Sequence, residues 1–195
     1  MGKNVLYVTM EMAEEKIAER LDANILDVPI EDIIQLTKEN FLTKVSKFGA
    51  KTTGKLLTKE YPTSQANVNH LRVLLNEIKL KKKFWPDIIY VDYINIMSSS
   101  RISAGNGANS YSIIKSIAEE LRGLSVEHGP PVVTATQTTR SGFKNSDVDI
   151  EDVAESFGLP ATADFMVALT RNDELDDLGQ IMVKQLKNRY ADKNK

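Results

Sequence analysis

The 195-residue sequence predicts an α/β fold with a mostly parallel sheet, and three observations carry that expectation. Apolar runs rich in β-branched residues, too short for ordinary helices, recur at Val5 to Met10, Ile88 to Val91 and Pro131 to Gln137. Such runs read as strands buried on both faces. Between them lie amphipathic stretches with helical spacing, the alternation that builds parallel sheets. Each run also delivers a polar group at its carboxyl end, namely Glu11, Asp92 and Gln137. In open α/β sheets, ligands sit outside those carboxyl ends. No repeat or linker interrupts the chain, so residues 1–195 read as one domain.

The first strand begins almost at once, after Gly2-Lys3-Asn4. A helix follows, with Met12, Ile17 and Leu21 inward and Glu14, Glu15, Lys16 and Glu19 outward. Ile30 to Val45 has the spacing of a further helix. Lys55 to Tyr61 reads as a strand closed by Pro62. Thr63 or Ser64 can then cap a helix whose inner face is Val68, Leu71, Leu75 and Ile78. It ends in Lys79, Lys81, Lys82 and Lys83, which suit a solvated helix C-terminus; a phosphate patch is the alternative. The Trp85-Pro86 break leads into the Asp92 strand. Ser98 to Asn109, rich in Ser, Gly and Asn, reads as a mobile loop carrying Arg101. A helix over Tyr111 to Glu127 turns Ile114, Ile117, Leu121 and Leu124 inward. After the Pro131 to Gln137 strand, a second polar loop, Thr138 to Asp149, carries Arg140 and Lys144. Last come a short helix at Glu151 to Phe157, a strand at Phe165 to Leu169, an acidic turn at Asn172 to Asp177 and a strand at Gln180 to Leu186.

Composition narrows the function classes. Hydrophobic residues make up 42% and charged residues 27%, ordinary values for a soluble globular protein. A net charge of −2 supplies no global basic field, so any nucleic-acid contact must come from a local patch. The absence of cysteine excludes disulfides and thiol chemistry and is compatible with a reducing cytosol. His70 and His128 lie far apart without ligand spacing and read as surface or helix-end residues. No apolar stretch approaches bilayer length, and the N-terminus lacks a signal-peptide layout. Leu6 stands where a myristoylation signal needs Ser or Thr.

An apolar strand ending in Asp is the Walker B pattern, whose carboxylate holds the Mg²⁺ of a bound nucleotide. Packing and capping also place acids at strand ends. Tyr93 follows Asp92, so a base directly after the metal holder is ruled out; Glu11, on a neighbouring strand, can fill that role. Five stretches then occur in order. They are Asn4-Val5-Leu6-Tyr7-Val8-Thr9-Met10-Glu11-Met12 with Arg20 beyond it, Ile89-Tyr90-Val91-Asp92-Tyr93, Thr136-Gln137-Thr138-Thr139-Arg140, Asp152-Val153-Ala154-Glu155-Ser156 with Ala163-Asp164, and Lys187-Asn188-Arg189. Their order and spacing resemble the hexameric replicative DNA helicases of the DnaB type, those of T-even-type phages in particular, over essentially the whole chain.

The resemblance implies a RecA-like P-loop NTPase core forming a C-terminal helicase motor domain. It implies ATP and Mg²⁺ as cofactors, with Glu11 as catalytic glutamate, Arg20 packing on adenine, Asp92 holding the metal and Gln137 sensing the γ-phosphate. Lys187 and Arg189 would reach a neighbouring subunit's ATP. The fourth motif, with Glu155 and Ser156, would contribute a DNA-contacting loop. The implied partners are single-stranded DNA, further copies in a homo-hexamer, and primase with other replisome proteins; the implied location is the cytoplasm, the host's if phage-encoded.

Two departures qualify this picture. Ala154 stands where many relatives carry Arg, leaving Arg101, Arg140 and Lys144 to bind more of the DNA phosphates. No phosphate loop precedes Val5, and Gly49 to Leu56 matches G-x-x-x-x-G-K only to meet Leu56 where a Mg²⁺-binding Ser or Thr belongs. A charged helical segment precedes that match and a strand follows, the reverse of a P-loop. The expectation is therefore a motor core lacking its P-loop strand, with uncovered apolar faces and unpaired edges, inactive as an isolated chain. Two alternatives stay open: another RecA-superfamily ATPase of recombinase or clock type, and a catalytically inactive assembly or DNA-binding module.

Overall fold

The computed structural model describes residues 2–103, 109–137, 149–150 and 158–191. Strand β1 (Val5–Thr9) lies inside the main sheet, between β2 (Leu56–Glu60) and β3 (Ile88–Asp92), with β4 (Val132–Thr134) beyond β3. All three pairings are parallel. Thr9 stands level with Glu60 on one side and Asp92 on the other, so three carboxyl ends finish at one edge.

Alternation of side chains along the strands sets the core. Leu6, Val8, Ile89 and Val91 are buried on one face. They share a continuous apolar cluster with Leu71, Leu75 and Ile78 of α4 (Val68–Lys82) and Ile117, Leu121 and Leu124 of α5 (Ser110–His128). The opposite face carries Tyr7, stacked on Tyr90 at 6.2 Å between ring centroids, and the exposed Val133.

Local signals decide where helices begin. Helix α1 (Glu14–Leu26) follows β1 after a short turn. The single helix expected over Ile30 to Val45 is two, α2 (Ile30–Ile33) and α3 (Lys38–Gly49). Thr37 interrupts them by taking the N-cap of α3, its Oγ1 accepting from the Asn40 N–H. The cap of α4 is Asn67, which forms a capping box with His70. Thr63 instead donates to the Met10 carbonyl at 2.7 Å, and Ser64 turns the chain at φ 59°.

Helix α6 (Gly158–Thr162) packs on α5, with Gly158 so close that a Cβ would lie 2.7 Å from the Lys115 side chain. Strands β5 (Phe165–Thr170) and β6 (Met182–Asn188) form a separate antiparallel pair joined through α7 (Asp173–Asp177). The expected acidic turn is thus a short helix, because Asn172 accepts from the Leu175 N–H and caps it. Ala168 and Leu186 join the main core, whereas Phe165, Val167, Leu169 and Val183 are exposed. Among the described residues β4 pairs with β3 alone. The helix expected at Glu151 to Phe157 lies outside the described residues.

Candidate functional site

The ends of β1, β3 and β4 build the site. The Met10 N–H donates to the Asp92 carbonyl at 3.0 Å, carrying the β1–β3 ladder one residue past Thr9. The chain then turns sharply, because the buried Thr9 hydroxyl donates to the Met12 carbonyl at 2.8 Å and accepts from the Met12 N–H. Glu11 sits exposed within that tied turn, beside the end of β3.

Asp92 is half-buried and accepts a 2.7 Å hydrogen bond from the Tyr7 hydroxyl on the adjacent strand. Burial raises the Tyr7 pKa above the ordinary range, and the Asp92 hydrogen bond and charge push it further, against the opposing charge of Arg20. The phenol therefore stays a donor at any working pH, and Arg20 of α1 lies within electrostatic reach of the pair. Arg20 also lines a shallow depression with Asn24, Asp27 and Pro29.

Gln137 lies three residues beyond the end of β4. Its side-chain amide donates to the Tyr93 hydroxyl at 3.2 Å, and Thr136 donates to the Asn95 side chain at 2.8 Å. Tyr93, immediately after Asp92, thus ties the third strand end to the second. The structure brings Glu11, Asp92 and Gln137 to one sheet edge with Arg20 nearby.

Lys187 and Arg189 lie elsewhere, at the end of β6. Lys187 donates to the carbonyls of Pro160 and Ala161, at 2.6 and 3.3 Å. Arg189 donates to the Ala161 carbonyl at 3.1 Å and pairs with Asp164 at 2.7 Å. Burial lowers the Lys187 pKa, and the positive charge of Arg189 adds to the effect.

The segment expected to be a mobile loop is anchored at its start. Glu120, buried on the inner face of α5, accepts from the hydroxyls of Ser99 and Ser100, each at 2.6 Å, from the Ser100 N–H, and from the Ser116 hydroxyl. Arg101 follows directly, exposed and loosely paired with Glu119 at 3.5 Å. Arg140, Lys144, Glu155 and Ser156 lie outside the described residues.

Gly49 to Leu56 runs from the end of α3 into β2, so its context is helix to strand. Gly54 packs on the Lys3 backbone, where a Cβ would lie 2.3 Å from the carbonyl oxygen. Its lack of a side chain is accounted for by that approach. For a metal, Asp92 offers one carboxylate, and no group of three metal-ligating side chains occurs among the described residues. That donor set fits Mg²⁺, which binds through one or two carboxylates together with waters and substrate phosphates.

Sequence reasoning missed Tyr7, Thr9, Thr63 and Glu120. Tyr7 sits mid-strand opposite Tyr90, a register the sequence alone does not supply. Glu120 carried a signal, a carboxylate three residues after the inward Ile117 on an otherwise apolar stripe.

Comparison with known proteins identifies the fold and the family. The DnaB-like replicative helicase of Enterobacteria phage T4 is 50% identical over 198 aligned residues, covering all of this chain and 42% of that protein. A probable plasmid replicative DNA helicase of Chlamydia psittaci is 28% identical, covering 88% of this chain and 37% of that protein. The chain thus spans less than half the length of these relatives. In solved structures, a DnaB-like replicative helicase studied with its primase interactions superposes with a TM-score of 0.74 at 19% identity, covering 96% of this chain and 46% of that one. A second solved structure, an ATPase domain, gives the same score and identity, covering 97% of this chain and 68% of that one. Residues 1–193 match the family described as DnaB-like helicase C terminal domain, and the chain belongs to that family.

Proposed function

We infer that this chain is the motor domain of an ATP-dependent replicative helicase that translocates on single-stranded DNA and unwinds duplex at the fork. The observation that carries the reading is the convergence of Glu11, Asp92 and Gln137 on one edge of a parallel sheet. Glu11 would activate an attacking water as general base. Asp92, oriented by Tyr7, would hold Mg²⁺, which when bound spreads the negative charge of the β- and γ-phosphates. Gln137, held by Tyr93, would sense the γ-phosphate, and Arg20 would pack on the base. Lys187 and Arg189 would act in trans, which requires an adjacent copy of the chain, as in the homo-hexamer the family resemblance implies. Arg101, Arg140 and Lys144, with Glu155 and Ser156 of the fourth motif, would contact the DNA backbone. The solved relative's primase interactions support primase as a partner; the location would be the cytoplasm, the host's if phage-encoded, and no helix among the described residues is long and apolar enough to cross a membrane.

A nucleoside triphosphate needs backbone N–H groups and a lysine around its phosphates. Among the described residues no such loop runs from strand into helix, so this chain alone is expected to hydrolyse ATP negligibly. The same observation favours the second reading, a catalytically inactive assembly or DNA-binding module. ATPase assays with forked-DNA unwinding by the complete helicase separate the two. DNA-stimulated turnover with unwinding supports the motor, and DNA binding without turnover supports the second reading.

A further inference from the structure

Three cations gather at the carboxyl end of α6. Lys187 takes the Pro160 and Ala161 carbonyls, Arg189 the Ala161 carbonyl, and Arg122 of α5 the Thr162 carbonyl at 2.9 Å. One carboxylate sits among them. Asp164 Oδ1 lies 2.6 Å from Arg122 Nη1 and 2.7 Å from Arg189 Nη1. The backbone fixes the same relationship, since the Arg189 N–H donates to the Asp164 carbonyl at 2.9 Å where β5 and β6 meet. A single carboxylate facing three cations leaves the cluster positively charged. Because Arg122, Asp164 and Arg189 are each more than a third exposed, that charge faces solvent.

Capping of a short helix by basic side chains accounts for the carbonyl contacts. It does not account for Asp164, which caps nothing and instead joins two guanidiniums. Arg122 Nη1 donates both to the Thr162 carbonyl and to Asp164, and so braces the carboxylate against the end of α6. The carboxylate and the Ala161 carbonyl then fix two corners of the Arg189 guanidinium, and two points with planarity define its orientation. Among the described residues the Nε–H and the outer N–H groups of Arg189 meet no partner, which leaves them to an anion. A long flexible side chain that must meet a phosphate in a neighbour is thereby ordered before the neighbour arrives, the condition for effective positioning.

We propose that Asp164, braced by Arg122, is the positioning residue that aims Arg189 at a neighbouring subunit's nucleotide. The proposal rests on the reading of Lys187 and Arg189 as a trans-acting pair. In the complete, ring-forming helicase, Asp164→Asn should lower kcat for ATP roughly 10²-fold, the scale of a misplaced catalytic group, with KM nearly unchanged and ring size preserved. Arg122→Lys, which keeps the charge but removes the Nη1 that makes both contacts, should act in the same direction. Neither change should lower kcat further in an Arg189→Ala background, because effects transmitted through one residue are non-additive. If Arg189→Ala lowers kcat while Asp164→Asn and Arg122→Lys do not, or if their effects simply multiply with it, the positioning role is wrong and the trans reading stands. If Arg189→Ala itself leaves kcat intact, the trans reading fails and the positioning role with it. Should Asp164→Asn form no rings, the Arg122→Lys and Arg189→Ala pair decides the same question.

Discussion

The Tyr7 hydroxyl and the Asp92 carboxylate, 2.7 Å apart across adjacent strands, link the middle of β1 to the carboxyl end of β3. A half-buried carboxylate with one protein donor depends on that donor for its orientation. Tyr7→Phe is expected to lower stability by about 1.5–3 kcal/mol, the range for a hydrogen bond to a charged group. Asp92→Asn should cost less in the Tyr7→Phe background than alone, giving a coupling of about 1 kcal/mol in a double-mutant cycle by denaturant unfolding. Additive losses would mean that the pair does not interact in solution.

Glu120 gives the fold an acid-sensitive joint. Burial raises its pKa, but the hydrogen bonds from Ser100, Ser99 and Ser116 outweigh burial and leave it below the ordinary value. A carboxyl group whose folded pKa is depressed stabilises the fold above its unfolded pKa, roughly pH 4.3. That contribution is lost as the pH falls through the folded value. Denaturant midpoints should therefore drop as the pH falls below about 4.3, and Glu120→Gln should flatten that limb. Glu120→Ala, which strands buried serine donors, should cost about 3 kcal/mol at neutral pH. An acid limb unchanged in Glu120→Gln would remove Glu120 from the account.

In the proposed reading, Arg101, Arg140 and Lys144 act on DNA phosphates and read no bases. Arg101→Ala, Arg140→Ala and Lys144→Ala should each weaken binding of the complete helicase to single strands of any sequence. Each should reduce the slope of log K against log salt by about 0.7, the single-strand value per phosphate contact. Fluorescence anisotropy on several unrelated oligonucleotides over a salt series measures both quantities. A loss confined to certain sequences would contradict a backbone role.

How far the fold was legible follows from where its signals are local. The runs around Val5, Ile88 and Val132 announced their strands because short apolar runs rich in β-branched residues suit a strand, although one face, with Tyr90 and Val133, is exposed and not covered as expected. The helix boundaries were less accessible, since capping turns on one hydrogen bond: Asn67 with His70, and not Thr63, starts α4, and Thr37 splits the helix expected over Ile30 to Val45. At the site, Glu11, Asp92 and Gln137 could be named because strand ends are visible in sequence. Their supports could not, because Tyr7–Asp92 and Gln137–Tyr93 are contacts across strands whose register only the fold supplies. The same holds for Glu120, whose serine partners come partly from a loop distant in sequence.

The most direct test of the motor reading is Glu11→Gln in the complete helicase, with equilibrium ATP binding and single-turnover hydrolysis measured on the same preparation. The substitution removes the carboxylate that acts on the attacking water and leaves Asp92, Arg20 and Gln137 untouched. Binding should stay within a few-fold of the parent, while turnover falls roughly 10²–10⁴-fold, the usual contribution of a general base. Abolished binding with normal turnover of whatever nucleotide remains bound would contradict the role given to Glu11 and the site built around it.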